Sequence, residues 1–263
     1  MRKIFVSFII TAIIAGSISF DLSAQETYKQ IPPMVTDRPT QTESPYTIPK
    51  GFLQIEGGFL YEYDNLPVGN TQLFNFSNTV LRFGISDRAE IRAGVNYLKF
   101  IPVSQQDEIG LGPLQIGSKF RIGEEKGFIP EISLDVTLGL PFTGDQIFKP
   151  DYFAPSFLFA FQHTLSPKIS LGYNLGASWD GVNPWATGIY SLSCGYSISN
   201  KVNVFGELYG SVPEKGDAWH QFDAGMSWLI MRNFQVDVSA GTALNAAAPD
   251  YFVATGLSVR LPR

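Results

Sequence analysis

From Gly51 to the C-terminus, apolar and polar side chains alternate through twelve successive stretches, each about a dozen residues long. The clearest runs from Lys168 to Asp180. Ile169, Leu171, Tyr173, Leu175, Ala177 and Trp179 share one parity, and Ser170, Gly172, Asn174, Gly176, Ser178 and Asp180 share the other. A period of two means an extended strand with one oily and one wet face. A soluble β-sandwich shows the same alternation, but its strands usually run about five or six residues. A tilted strand needs about nine to eleven to cross a bilayer core, so the lengths favour a membrane barrel.

The pattern predicts strands over Gly51–Tyr63, Thr71–Ile85, Arg88–Phe100, Ile109–Ile122, Gly127–Leu140 and Tyr152–Thr164. It continues with Lys168–Asp180, Trp185–Ile198, Lys201–Val212, Ala218–Ile230, Asn233–Ala243 and Tyr251–Leu261. Links such as 86–87, 165–167, 199–200 and 231–232 are tight, whereas 64–70, 101–108 and 141–151 are longer. The expected fold is therefore an all-β, transmembrane, antiparallel up-and-down barrel of about twelve strands, with short periplasmic turns and longer extracellular loops. Aromatics sharpen the orientation. Tyr61, Tyr63, Phe100, Trp179, Trp185, Trp219 and Tyr251 fall at outer ends, and Phe52, Phe83, Phe120, Phe128, Tyr196, Trp228 and Phe234 at inner ends, as two interfacial belts require.

Two segments precede the barrel. Arg2 and Lys3 lead an apolar run from Ile4 to Phe20, followed by Leu22, Ser23 and Ala24, which is the layout of a secretory signal peptide cut near Ala24. Residues 25–50 carry Pro32, Pro33, Pro39, Pro45 and Pro49, which forbid a long helix or a central strand. They are read as an extended periplasmic segment or a plug, and 51–263 as the barrel of a Gram-negative outer-membrane protein.

Composition changes this picture little. A mean hydropathy of +0.05 is ordinary for a soluble protein, yet barrels hide there because half of each strand faces a polar interior. The net charge of −5 makes nucleic acid an unsuitable partner. Outer-membrane lipid and a small-molecule solute are the expected partners, and oligomeric state is left open. The single cysteine, Cys194, falls on the apolar parity and excludes an intramolecular disulfide.

If the oily parity faces lipid, the wet parity points Glu56, Arg82, Glu90, Arg92, Lys119, Arg121, Glu131, Asp135, Asp223, Asp237 and Arg260 into the lumen. Gln54, Glu62 and Glu207 share that facing. A charge on the lipid face would cost a few kcal/mol at the midplane, so the restriction to one parity supports the assignment. This set is read first as a paired network filling a narrow barrel, with a charged, solute-selecting constriction as the alternative. Toward the outer ends Leu60, Leu98, Ile189, Tyr209 and Phe252 also point inward and would form an apolar vestibule. Catalysis is not expected: His163 lies beside a periplasmic turn, His220 has only Asp217 and Asp223 near it, and no cofactor, metal or nucleophile motif appears.

Thr36 to Tyr63 reads TDRPTQTESPYTIPKGFLQIEGGFLYEY, in which Asp37, Arg38 and Pro39 are followed by Glu43, Ser44 and Pro45, then Gly51, Gln54 and Glu56. Val236 to Leu261 places an Asp on the penultimate strand ahead of a loop and a closing strand that ends in basic residues. Both ends resemble the outer-membrane transporter family named for the MetA pathway of phenol degradation. The resemblance implies a barrel that takes up small, hydrophobic or aromatic solutes by passive transport, with a closed-lumen structural or binding barrel as the alternative. By likeness to fatty-acid and toluene uptake channels, it also implies that residues 25–50 enter the periplasmic mouth and pair Asp37, Arg38 and Glu43 with lumen charges.

Overall fold

The computed structural model describes residues 32–103 and 105–262. The expected signal peptide, its cleavage point and residues 25–31 lie outside them. The strands are β1 (Leu53–Leu66), β2 (Gly69–Ser86), β3 (Ala89–Val95), β4 (Tyr97–Ile101), β5 (Glu108–Leu111), β6 (Gln115–Gly123) and β7 (Glu131–Gly139). The second half holds β8 (Ala154–Thr164), β9 (Ile169–Ser178), β10 (Thr187–Ser197), β11 (Val202–Pro213), β12 (Trp219–Met231), β13 (Phe234–Ala243) and β14 (Tyr251–Leu261).

Every pairing is antiparallel, and all join neighbours in sequence except β2 with β4, β3 with β6, and the closure of β1 on β14, which runs from Leu53 opposite Leu261 to Tyr63 opposite Tyr251. Closure of β1 on β14 leaves β5, which pairs only with β4, as the one strand among the described residues without strand partners on both sides. β3 and β4 together make one pass against β2, and β5 and β6 together make the next, which gives a barrel of twelve passes. Two of the predicted continuous strands are thus each broken in the middle. The break has a local cause: Pro113 has no N–H to give, and Gly112 instead donates to Asn96 O at 2.9 Å. The exposed edge of β5 is covered by the loop after β7, where Asp145 N donates to Leu111 O and Leu111 N returns a bond to Asp145 Oδ2, both at 2.8 Å.

Burial is inverted relative to a soluble protein. Leu175, Ile91, Leu192, Val238 and Leu257 are exposed on the outside, while Arg82, Glu90, Lys119 and Asp223 are fully buried inside. Cys194, on the outer parity, is exposed as well.

Three expectations are corrected. The link 64–70 is not a loop: β1 and β2 stay paired up to Leu66 opposite Gly69, because the Asp, Asn and Thr positions there continue the ladder and only two residues are needed to turn. The predicted strand 71–85 does not keep one facing along its length: it carries a bulge, since Gly58 faces Asn78 but Leu60 faces Asn75. The extra residue flips the facing, so Arg82, Val80 and Asn78 point inward below it and Asn75 and Leu73 above it. Trp219 is not in the outer belt; it shares the inward parity of β12 and packs edge-on against buried Tyr209 at 6.0 Å.

Candidate functional site

Residues 32–50 form no regular element, and their backbone polar groups must find partners elsewhere. They find them on the inward faces of strands all around the ring. Gln54 Nε2 donates to Val35 O at 2.8 Å, Asp37 N to Glu56 Oε2 at 3.0 Å, and Ile48 N to Glu90 Oε2 at 2.7 Å. From the opposite side, Glu207 accepts from Gln41 N at 2.6 Å and from Thr42 N and Oγ1 at 2.9 and 2.6 Å. Asn174 Oδ1 accepts from Glu43 N at 2.6 Å, and Asn174 Nδ2 donates to Glu43 O at 3.0 Å. Bonds to both walls place the segment across the lumen.

Its centre is Asp37. The carboxylate meets Arg82 at 2.9 Å, Arg92 at 3.0 Å and Lys119 at 2.9 Å, and also accepts from Ser44 N and Oγ. Arg82 is shared with Glu56 and Glu90, each at 2.8 Å. Arg92 also pairs with Glu43 at 2.6 Å and with Asp135, and Lys119 with Glu43 at 3.0 Å. Three cations of the wall therefore face three carboxylates of the same wall plus two brought by the segment. Arg38 reaches the far wall and pairs with Asp237 at 3.0 Å. Burial pushes the Asp37 and Glu43 carboxyls up. The cations outweigh it: Arg82, Lys119 and Arg92 hold Asp37 well below the usual carboxylate range, and Arg92 and Lys119 hold Glu43 at about 2.

Of the other motif residues, Pro45 is buried, Pro39 lines the spaces beside the segment, and Ser44 O accepts from Lys119 Nζ at 2.9 Å. Besides Asp237, four of the wall residues expected in the lumen network stand apart from the cluster around Asp37. Arg121 and Glu131 pair with each other near the 124–130 turn, where Glu131 also accepts from Glu125 N. Arg260 donates to Pro32 O at 2.6 Å and Pro33 O at 3.3 Å, over the Phe52 ring. Asp223 lies beside Glu207 on the adjacent strand, and its carboxylate has no hydrogen-bond partner among the described residues.

Glu207 faces inward as the parity predicts, whereas Asn174, uncharged, stands outside the expected charge network although it occupies the wet parity at mid-strand, which was the available signal. The inward Tyr209 and Phe252 are packed rather than open. Tyr209 Oη donates to Gln221 at 2.6 Å, and Phe252 lies where a side chain at Gly241 would have to go. His220 Nδ1 is bonded to Tyr190 Oη at 2.8 Å, and His163 stacks on Tyr173.

A closed antiparallel barrel with an apolar outside, a charged inside and a chain segment held across its lumen is the architecture of Gram-negative outer-membrane proteins. Within that class, residues 36–261 match the family described as "Putative MetA-pathway of phenol degradation", and the chain belongs to that family. Among solved structures it is similar to an outer membrane channel from Pseudomonas putida F1, at 12% identity and a TM-score of 0.65 over 85% of this chain and 100% of that one. It is also similar to the KdgM porin (10% identity, TM-score 0.52, 78% and 98% covered) and to the NanC porin (6% identity, TM-score 0.53, 79% and 98% covered). No curated protein matches at the level of sequence.

Proposed function

We propose that this protein, freed of a signal peptide near Ala24, resides in the outer membrane and serves as a passive channel for small, hydrophobic or aromatic solutes. One observation carries the reading: the chain that fills the lumen is held by side-chain bonds and ion pairs and forms no strand of the wall. Such a filling can shift or leave while the wall ladder stays intact, so residues 32–50 act as a plug. The lumen charges serve as its dock. The solute class rests on the family's description and on the inward Leu60 and Ile189.

The test is electrical. In a planar bilayer the purified protein gives small discrete conductance steps, and the doubly substituted Asp37→Ala, Arg38→Ala protein gives larger ones. Silence from both proteins sinks the reading. A closed-lumen binding barrel is the second reading, favoured by the complete burial of Phe252 against Gly241. It predicts silence together with retained binding of an aromatic solute, measured by quenching of tryptophan fluorescence.

A further inference from the structure

The segment across the lumen is held very differently on its two sides. Toward β2, β3 and β6 it is stapled through Asp37 and Glu43 to Arg82, Arg92 and Lys119. Between the segment and the wall of β8 to β12 there is instead a cavity of about 430 Å³. Its wall presents Ser170, Gly172, Ser193, Gly195, Ser197 and Ser227, and no charged residue of a strand borders it among the described residues. Two charged groups of the segment touch it, Arg38 and Glu43, and both are neutralised by partners elsewhere, Asp237 for the first, Arg92 and Lys119 for the second. Lys168 stands exposed in the turn at its periplasmic end. The space flanking the opposite side of the segment is smaller, about 180 Å³, and is bordered by Asp37, Glu56 and Arg92.

The larger cavity is closed on its outer side at two places. Asn174 lies further along β9 than Ser170 and Gly172, and Glu207 sits directly opposite Ser193 on β11. These two side chains make the bonds to Gln41, Thr42 and Glu43 described above. We infer that solute passes the segment on this side, with the Ser/Gly wall as the path and Asn174 and Glu207 as its gate. The inference rests on the channel reading and adds to it a route and a solute class wider than aromatics: small molecules without negative charge that carry at least one hydrogen-bonding group, sugars included. The physical reason is the asymmetry. Releasing this side exchanges a few hydrogen bonds for others to the solute or to water. Releasing the other side strands three buried cations. An anionic solute on this route finds hydroxyls and, at the gate, the Glu207 carboxylate, with no cation of a strand bordering the path, so it must leave its hydration behind uncompensated. The segment therefore swings on its ion-paired side and stays attached.

The experiment uses the full chain with Cys194→Ser, which removes the lipid-facing thiol. Ser193→Cys, in the larger cavity, and Asn78→Cys, in the smaller one, are folded, reconstituted into liposomes and then treated with benzyl methanethiosulfonate. Uptake of arabinose is read by swelling. Because labelling follows folding, a loss of flux reports blockage. Labelling at 193 is expected to cut uptake about tenfold, as filling the narrowest part of a pore does, with labelling at 78 changing it less than about twofold. Asn174→Ala is expected to raise uptake. Loss at 78 alone, equal loss at both positions, or no loss at either overturns the route while leaving the channel reading in place. No arabinose uptake by the unlabelled proteins, together with silence in the planar bilayer, overturns both.

Discussion

At the scale of single residues, Asp37 concentrates most of the electrostatics. Removing one member of a buried ion-pair cluster leaves the others uncompensated and costs about 3–5 kcal/mol. Asp37→Asn is therefore expected to lower the urea midpoint for release of the segment, followed by protease access to residues 32–50, while the barrel keeps its heat-modifiable migration. The pH dependence follows from the direction of the shifts. Glu43 is depressed from 4.5 to about 2, and a depressed carboxyl gives its full stabilisation above its unfolded value and loses it as pH falls through the folded one. Docking is thus expected to be unchanged from neutral pH to about 4.5 and to weaken only toward about 2. A conductance increase already complete at pH 5.5 would contradict this. The residue types of the motif were readable in the sequence, but their partners were not. Asp37 meets groups from 7 to 82 positions away, and Arg38 meets one 199 away, separations that only closure of the ring brings together.

At the scale of elements, the glycines of two paired strands make room for the segment. Gly58 and Gly256 face each other across the β1–β14 ladder, and a Cβ at either would collide with the Arg38 guanidinium. At Gly256 nothing else stands within the closest contacts, so Gly256→Val is expected to eject Arg38 from Asp237 and leave the strand intact. The readout is a several-fold larger conductance with unchanged β-sheet circular dichroism, and an unchanged conductance would deny Arg38 its part in closing the lumen. Strand existence was legible throughout, since the period of two is a local property. Interruptions were less so. Pro113 stood in plain view inside a strand-like run, yet it breaks the pass only because Asn96 and Thr143 take over the neighbouring backbone groups. The bulge in β2 left no signature beyond blurred parity, because a run of Phe74, Asn75, Phe76 and Ser77 fits either face.

At the scale of the whole molecule, wall and segment are separable. The wall is closed by backbone ladders, and the segment adds only side-chain and cross-lumen bonds. A chain in which residues 32–48 are deleted behind the signal peptide is therefore expected to assemble as the same barrel and to conduct far more than the full chain, read in the planar bilayer. Failure of that protein to reach a heat-modifiable form would mean that the segment is needed to neutralise the wall during folding. By itself the sequence determined the repeated alternation, the near-even split of faces and the confinement of charge to one of them, because each follows from spacing along a strand. What only the tertiary structure decided is which charges meet, where the ladder slips, and that the ion pairs of Asp37 and Glu43 gather on one wall and leave a hydroxyl-lined space along another. Those depend on ring closure and on the path of a segment without period, and neither is written into any local stretch of the chain.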